Sequence, residues 1–175
     1  MRIGWLELIV TTSLLGGVVG RVEARREQDW RALIVVEGPT GESEQQALVA
    51  ALRVLPRLPV RIAVIDADEA TPQVKATLLR LDTFITKGSP VVYVLRHGAL
   101  LQGARAGSTF HVLALAAAIW HELAHVDGED EPGARKREQA LWTTFVRDQR
   151  VDGITALRYL SALDKRPDDP LLAMK

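Results

Sequence analysis

Ser108-Thr109-Phe110-His111-Val112-Leu113-Ala114-Leu115-Ala116-Ala117-Ala118-Ile119-Trp120-His121-Glu122-Leu123-Ala124-His125 is the stretch on which the reading of this chain turns. Ser108 or Thr109 can cap a helix running through Phe110, Val112, Leu113, Leu115, Ile119 and Trp120, and Gly128 supplies a natural C-terminal stop. The apolar run before His121 is too short to span a bilayer, so the segment reads as a buried core helix. Ala114, Ala117 and Ala118 are small enough to let a neighbouring element approach closely. His121 and His125 fall in the last two turns, four residues apart on one face, where both imidazoles can reach a single ion. Glu122 points off that line, where it can hold a water at the ion instead of binding the ion itself.

His121-Glu122-x-x-His125 is the H-E-x-x-H arrangement of zinc hydrolases. Taken alone, the pair is also compatible with two ordinary histidines on a core helix. A catalytic zinc site needs a third protein ligand and a fourth position left open. The chain has no cysteine, so that ligand must be His, Asp or Glu. Two carboxylates compete downstream. Glu138 belongs to a second helix, entered near Pro132, with an apolar stripe of Ala134, Leu141, Trp142 and Phe145. It lies at the centre of that stripe, where an unpaired carboxylate would cost several kcal/mol to bury. A zinc ion would be a suitable partner; a wet position near the helix start is the competing reading. Glu131 is the rival, because His121-Glu122-x-x-His125-x-x-Gly128-x-x-Glu131 overlays the metzincin spacing with Glu in place of the last His. That family also needs a Met-turn, and the only downstream methionine is Met174, so residues 127–131 read more simply as a solvated acidic loop. The expectation is therefore Glu138.

With that choice the chain resembles the gluzincin class of zinc metallopeptidases, and among them the minimal bacterial domains. Their third-ligand helix reads E-x-x-A or E-x-A with an aromatic a turn or two later; here it is Glu138-Gln139-Ala140-Leu141-Trp142, with Phe145 following. The resemblance covers residues 110 to 150. It implies Zn²⁺ held by His121, His125 and Glu138, Glu122 as the catalytic base, and hydrolysis of peptide bonds in a peptide or protein substrate. Tyr159 and His97 are available to steady a transition state, but no motif places either. A catalytically silent zincin-like binding or regulatory protein is the alternative.

Lys and Arg together number 22, as do Asp and Glu, so the net charge is zero and nothing points to a nucleic-acid partner. The absence of cysteine excludes disulfides and thiolate metal sites. Leu8 to Gly20 is uncharged and apolar, preceded by Arg2 and followed by Arg21, Arg25 and Arg26. Residues 1–26 thus read as a signal peptide or membrane anchor, implying export or membrane attachment, and residues 27–175 as a single metallopeptidase-like domain. A buried N-terminal helix in a cytoplasmic protein is the competing reading.

The remaining segments suggest an α+β, zincin-like domain with a small mixed sheet packed on the metal-binding helix. Arg31 to Glu37 and Val60 to Ile65 read as strands, with a helix between them capped by Ser43 and Gln46. Thr71 and Pro72 open a helix expected to carry Val74, Leu78, Leu81 and Ile85 on one side. Val91 to Leu95 and Ala99 to Gln102 suggest a hairpin turned at His97-Gly98, a candidate rim for substrate. A short helix over Ile154 to Leu163 ends the pattern, and a regular open βαβαβ sheet is the competing architecture. Gly38-Pro39-Thr40-Gly41-Glu42-Ser43 lacks the lysine and spacing of a phosphate loop, and Asp66, Asp68 and Glu69 read as a solvated strand end.

Overall fold

The computed structural model describes residues 34–36 and 41–163. Four strands form a mixed sheet: β1 (Ile34–Val36), β2 (Arg61–Ile65), β3 (Thr83–Ile85) and β4 (Val91–Leu95), in the order β1-β2-β4-β3. Among the described residues six α-helices accompany it, with one 3-10 turn at Ala67–Glu69: α1 (Glu42–Leu52), α2 (Pro72–Leu78), α3 (Ala99–Arg105), α4 (Thr109–Val126), α5 (Glu131–Arg147) and α6 (Gly153–Leu163). The class is α+β. The segment expected to be a leader or anchor, residues 1–26, lies outside the described residues. Among the described residues no helix is long and apolar enough to cross a membrane.

β1 pairs with β2, and β2 with β4, in parallel, which requires crossover connections such as α1. Alternation sorts the strand side chains onto two faces. Ile62, Val64, Val92 and Val94 are fully buried on one face. On the other, Phe84 and Leu95 form a smaller core with Ala67 and Leu78, packed by Ile65, Leu81 and Tyr93. Phe84 and Tyr93, directly opposite in the register, stack with centroids 4.9 Å apart.

Two element assignments differ from expectation. α2 ends at Leu78 rather than continuing to Ile85, and the hairpin joins β3 to β4, one element earlier than expected. Thr83, Phe84 and Ile85 are β-branched or aromatic and suit a strand, while Ala99-Leu100-Leu101-Gln102 lacks any β-branched residue and suits a helix. Asp82 fixes the outcome at both ends. Its carboxylate accepts the Leu100 N–H at 2.8 Å, supporting the start of α3, while its carbonyl accepts the Leu95 N–H at 2.9 Å. β4 is consequently an interior strand, paired on both sides, and cannot serve as the expected rim. α1 also begins earlier than its proposed Ser43 cap, with Gly41 at the N-cap position.

α4 is the central element, touching α1, α3, α5, β3 and β4. Ser108 caps it, as expected, by accepting the His111 N–H. Ala114, Ala116, Ala117 and Ala118 are buried, so the helix is enclosed along most of its length by close neighbours. Gly103 permits one of those approaches: a Cβ there would overlap Cγ, Cδ2 and Nδ1 of the His111 ring. In an unencumbered helix Gly→Ala stabilises by up to about 1 kcal/mol. Here Gly103→Ala is expected to lower stability by about 1–3 kcal/mol, the usual cost of overpacking. Urea unfolding measures the sign, and a stabilised variant would show that His111 swings aside freely.

Candidate metal centre

His121 and His125 project from the last two turns of α4 and are buried. Their rings meet edge to face at 4.9 Å, with the two Nε2 atoms 3.2 Å apart. The helix then stops: Gly128 adopts φ +89°, and Gly128 N–H and Glu129 N–H return to the carbonyls of His125 and Ala124 at 3.0 and 2.9 Å. Asp130 begins the next helix by accepting the Gly133 N–H at 3.0 Å. Glu131 is therefore the first residue of α5, directed back over the histidines.

Glu131 Oε2 lies 3.4 Å from His121 Nε2 and 3.2 Å from His125 Nε2. The oxygen is buried and, despite both approaches, meets no hydrogen-bond geometry. Its companion Oε1 accepts the Arg135 Nε–H at 2.8 Å, one helical turn on, which aims Oε2 inward. Three donor atoms are thus separated by 3.2, 3.2 and 3.4 Å. A tetrahedral site with bonds of about 2.0–2.1 Å has donor–donor edges of about 3.3–3.4 Å. The three atoms fit three corners of such a tetrahedron, and the two-imidazole, one-carboxylate donor set suits zinc.

Glu138, the expected third ligand, occupies a different place. Its side chain is wholly buried, as its central position on the stripe implied, but it meets the opposite nitrogen of His121: Nδ1 lies 3.0 Å from Oε2. The other oxygen, Oε1, accepts the Tyr159 hydroxyl of α6. His125 Nδ1 in turn lies 3.0 Å from the Glu129 carbonyl oxygen. With both Nδ1 atoms donating outward, both Nε2 atoms are left to face Glu131. Glu138 sits seven residues beyond Glu131, two turns deeper along α5, and therefore behind the imidazole instead of at its tip.

Glu122 is buried beside the pair, and its Oε1 accepts the Thr83 hydroxyl of β3 at 3.1 Å. No motif in the sequence signals Thr83; a hydroxyl on an edge strand becomes visible only once β3 is placed against α4. Tyr159 donates its hydroxyl to Glu138, and His97 pairs with Asp66 at 3.3 Å. Asp66, Asp68 and His97 do gather at one end of the sheet, but largely exposed and with Lys75 on Asp68.

The electrostatics follow from this packing. Burial opposes charge on His121, yet Glu131 and Glu138 outweigh it and hold its pKa up at about 9. Burial likewise opposes charge on His125, and Glu131 with the Glu129 carbonyl raises it nonetheless. Burial would push Glu131 up, but the two imidazoles and Arg135 keep it well below the usual carboxylate range. A cation entering between the three donors must displace a proton from His121, so binding is coupled to proton release.

The turn that delivers Glu131 is pinned from outside. Arg57 grips Asp127 through both oxygens at 2.8 and 2.7 Å, and Arg137 donates to the same carboxylate at 2.7 Å while its guanidinium lies 4.9 Å from the Trp120 ring centroid. No protein-family profile, curated protein or solved structure matches the chain.

Nothing lies within 4 Å of a Cβ added at Gly128, so a substitution there tests the backbone alone. Gly128→Ala is expected to cost about 1–2 kcal/mol, the penalty of a left-handed conformation in an L-residue. Thermal unfolding reads this loss, and an unchanged melting temperature would show that the turn reaches α5 by another backbone path.

Proposed function

We propose that this protein is a zinc-dependent peptidase of zincin-like fold, with His121, His125 and Glu131 as metal ligands and Glu122 as catalytic base. The observation that carries the reading is the convergence of the three donor atoms at 3.2–3.4 Å, with each imidazole fixed from its far side. The mixed sheet, its antiparallel edge strand β3 beside the motif helix, also supports a zincin-like arrangement. The ligand spacing is then H-E-x-x-H-x-x-G-x-x-E, with Glu131 in the place the sequence reading assigned to Glu138.

When bound, zinc supplies a Lewis acid that polarises a carbonyl and brings the pKa of water toward about 7. The chain's own residues do the rest. Glu122 follows His121 directly but projects off the ligand face, so it is available to accept a proton from water and pass it to the departing amine. Thr83 holds one oxygen of that carboxylate. Arg135 holds Glu131 to a single inward-facing oxygen, which favours a site with one position open to water and substrate. A peptide or protein substrate is what the H-E-x-x-H motif shared with zinc metallopeptidases implies; the gluzincin resemblance, which depended on Glu138 as a ligand, does not carry over to a site built on Glu131.

The purified protein is expected to take up one zinc ion per chain and to cleave unstructured protein substrates such as casein. Glu122→Gln should retain the metal and lose about 10²–10⁴-fold in cleavage rate. Glu131→Gln should lose the metal itself. A second reading, a silent zincin-like binding protein, draws on the burial of Glu122 against Thr83 and on the engagement of Tyr159 elsewhere. Zinc uptake without cleavage, and biological activity unaltered in Glu122→Gln, would favour it. A chain that takes up no zinc would overturn both.

A further inference from the structure

Glu138 is the most deeply buried ionisable side chain of the site, at 0% exposure, and both of its oxygens are engaged. One meets His121 Nδ1 at 3.0 Å; the other accepts the Tyr159 hydroxyl. Tyr159 is itself held rigidly. Its ring lies 4.1 Å from that of Trp142, whose side chain is fully buried, and Phe110 of α4 contacts it edge-on at 6.3 Å. Three helices thus contribute one polar line: Tyr159 from α6, Glu138 from α5 and His121 from α4.

Building on the zinc reading, we propose that Glu138 and Tyr159 are positioning residues that fix the ring plane and Nδ1–H tautomer of His121, and thereby set the metal affinity of the site. A carboxylate that accepts the Nδ1 proton leaves Nε2 with its lone pair directed at the ligand position. The tyrosine hydroxyl prevents the carboxylate from rotating away. His125 has only the Glu129 carbonyl for the same purpose, a neutral acceptor on an exposed turn. The two ligands are therefore supported unequally, and His121 is the one whose orientation depends on charged, buried contacts.

The test uses Co²⁺ titration of the metal-free full-length chain, followed by its visible absorption, on wild type, Tyr159→Phe and Glu138→Gln. Both variants keep the shape of the side chain they replace, and thermal unfolding without metal checks that each remains folded. The expected result is Co²⁺ affinity about 10–100-fold weaker in each variant. The absorption of the bound ion should also change, a readout that a merely structural contact would leave alone. Wild-type affinity and an unaltered spectrum in both folded variants would overturn the positioning role while leaving the zinc reading intact. Glu138→Gln abolishing binding while Glu131→Gln leaves it unchanged would also overturn it, because Glu138 would then be a ligand. No Co²⁺ uptake by wild type would overturn the zinc reading and this inference together.

Discussion

Burial of ionisable side chains in a helix that is otherwise apolar is the constraint on which this structure depends. His121, Glu122 and His125 lie at the closed end of α4, and Glu138 faces them from α5. Taking such groups out of water without partners would cost several kcal/mol each. Every one is met: His121 by Glu138, His125 by the Glu129 carbonyl, Glu122 by Thr83 and Glu138 by Tyr159. These contacts dictate where the surrounding elements lie. His125 meets the start of α5 and His121 meets its interior, so the two helices run antiparallel. β3 must present Thr83 to α4, and α6 must bring Tyr159 onto Trp142.

The arrangement uses the two nitrogens of an imidazole for separate purposes. On one side of His121 a carboxylate fixes the ring; on the other, a second carboxylate and a second imidazole gather at a common point. Both carboxylates come from α5. Seven residues separate Glu131 from Glu138, close to two full turns, so they share a face and differ mainly in depth. The left-handed turn at Gly128 sets that depth by determining where α5 begins, and the Arg57–Asp127–Arg137 cluster holds the turn on its solvent side.

The helical segments were the most legible part of the sequence. The capped, alanine-rich run from Ser108 and the Gly128 stop marked α4, and the central position of Glu138 on its stripe signalled burial. The β3–β4 region was less so. Leu78, Leu81 and Ile85 fit a helical stripe as well as a helix, a turn and a strand, because a short apolar run has no unique period. Asp82 decided the matter through contacts to Leu100 and Leu95, residues that no local pattern connects to it.

The sequence by itself determined the two histidines on one helical face, the glutamate beside them and the central place of Glu138 on the stripe of the next helix, whereas Glu131 read as part of a solvated loop. These follow from helical periodicity, which needs no tertiary information. Only the tertiary structure decided which carboxylate meets which nitrogen. Because α5 begins at Glu131, one residue before the expected entry at Pro132, Glu131 and Glu138 are seven apart on one helix and present the same face. The choice between them depends on the length and hand of the turn after α4, and thus on how far along α5 the imidazoles reach. Thr83 and Tyr159 were beyond the sequence for the same reason: each acts across a contact between distant elements, fixed by packing and not by spacing along the chain.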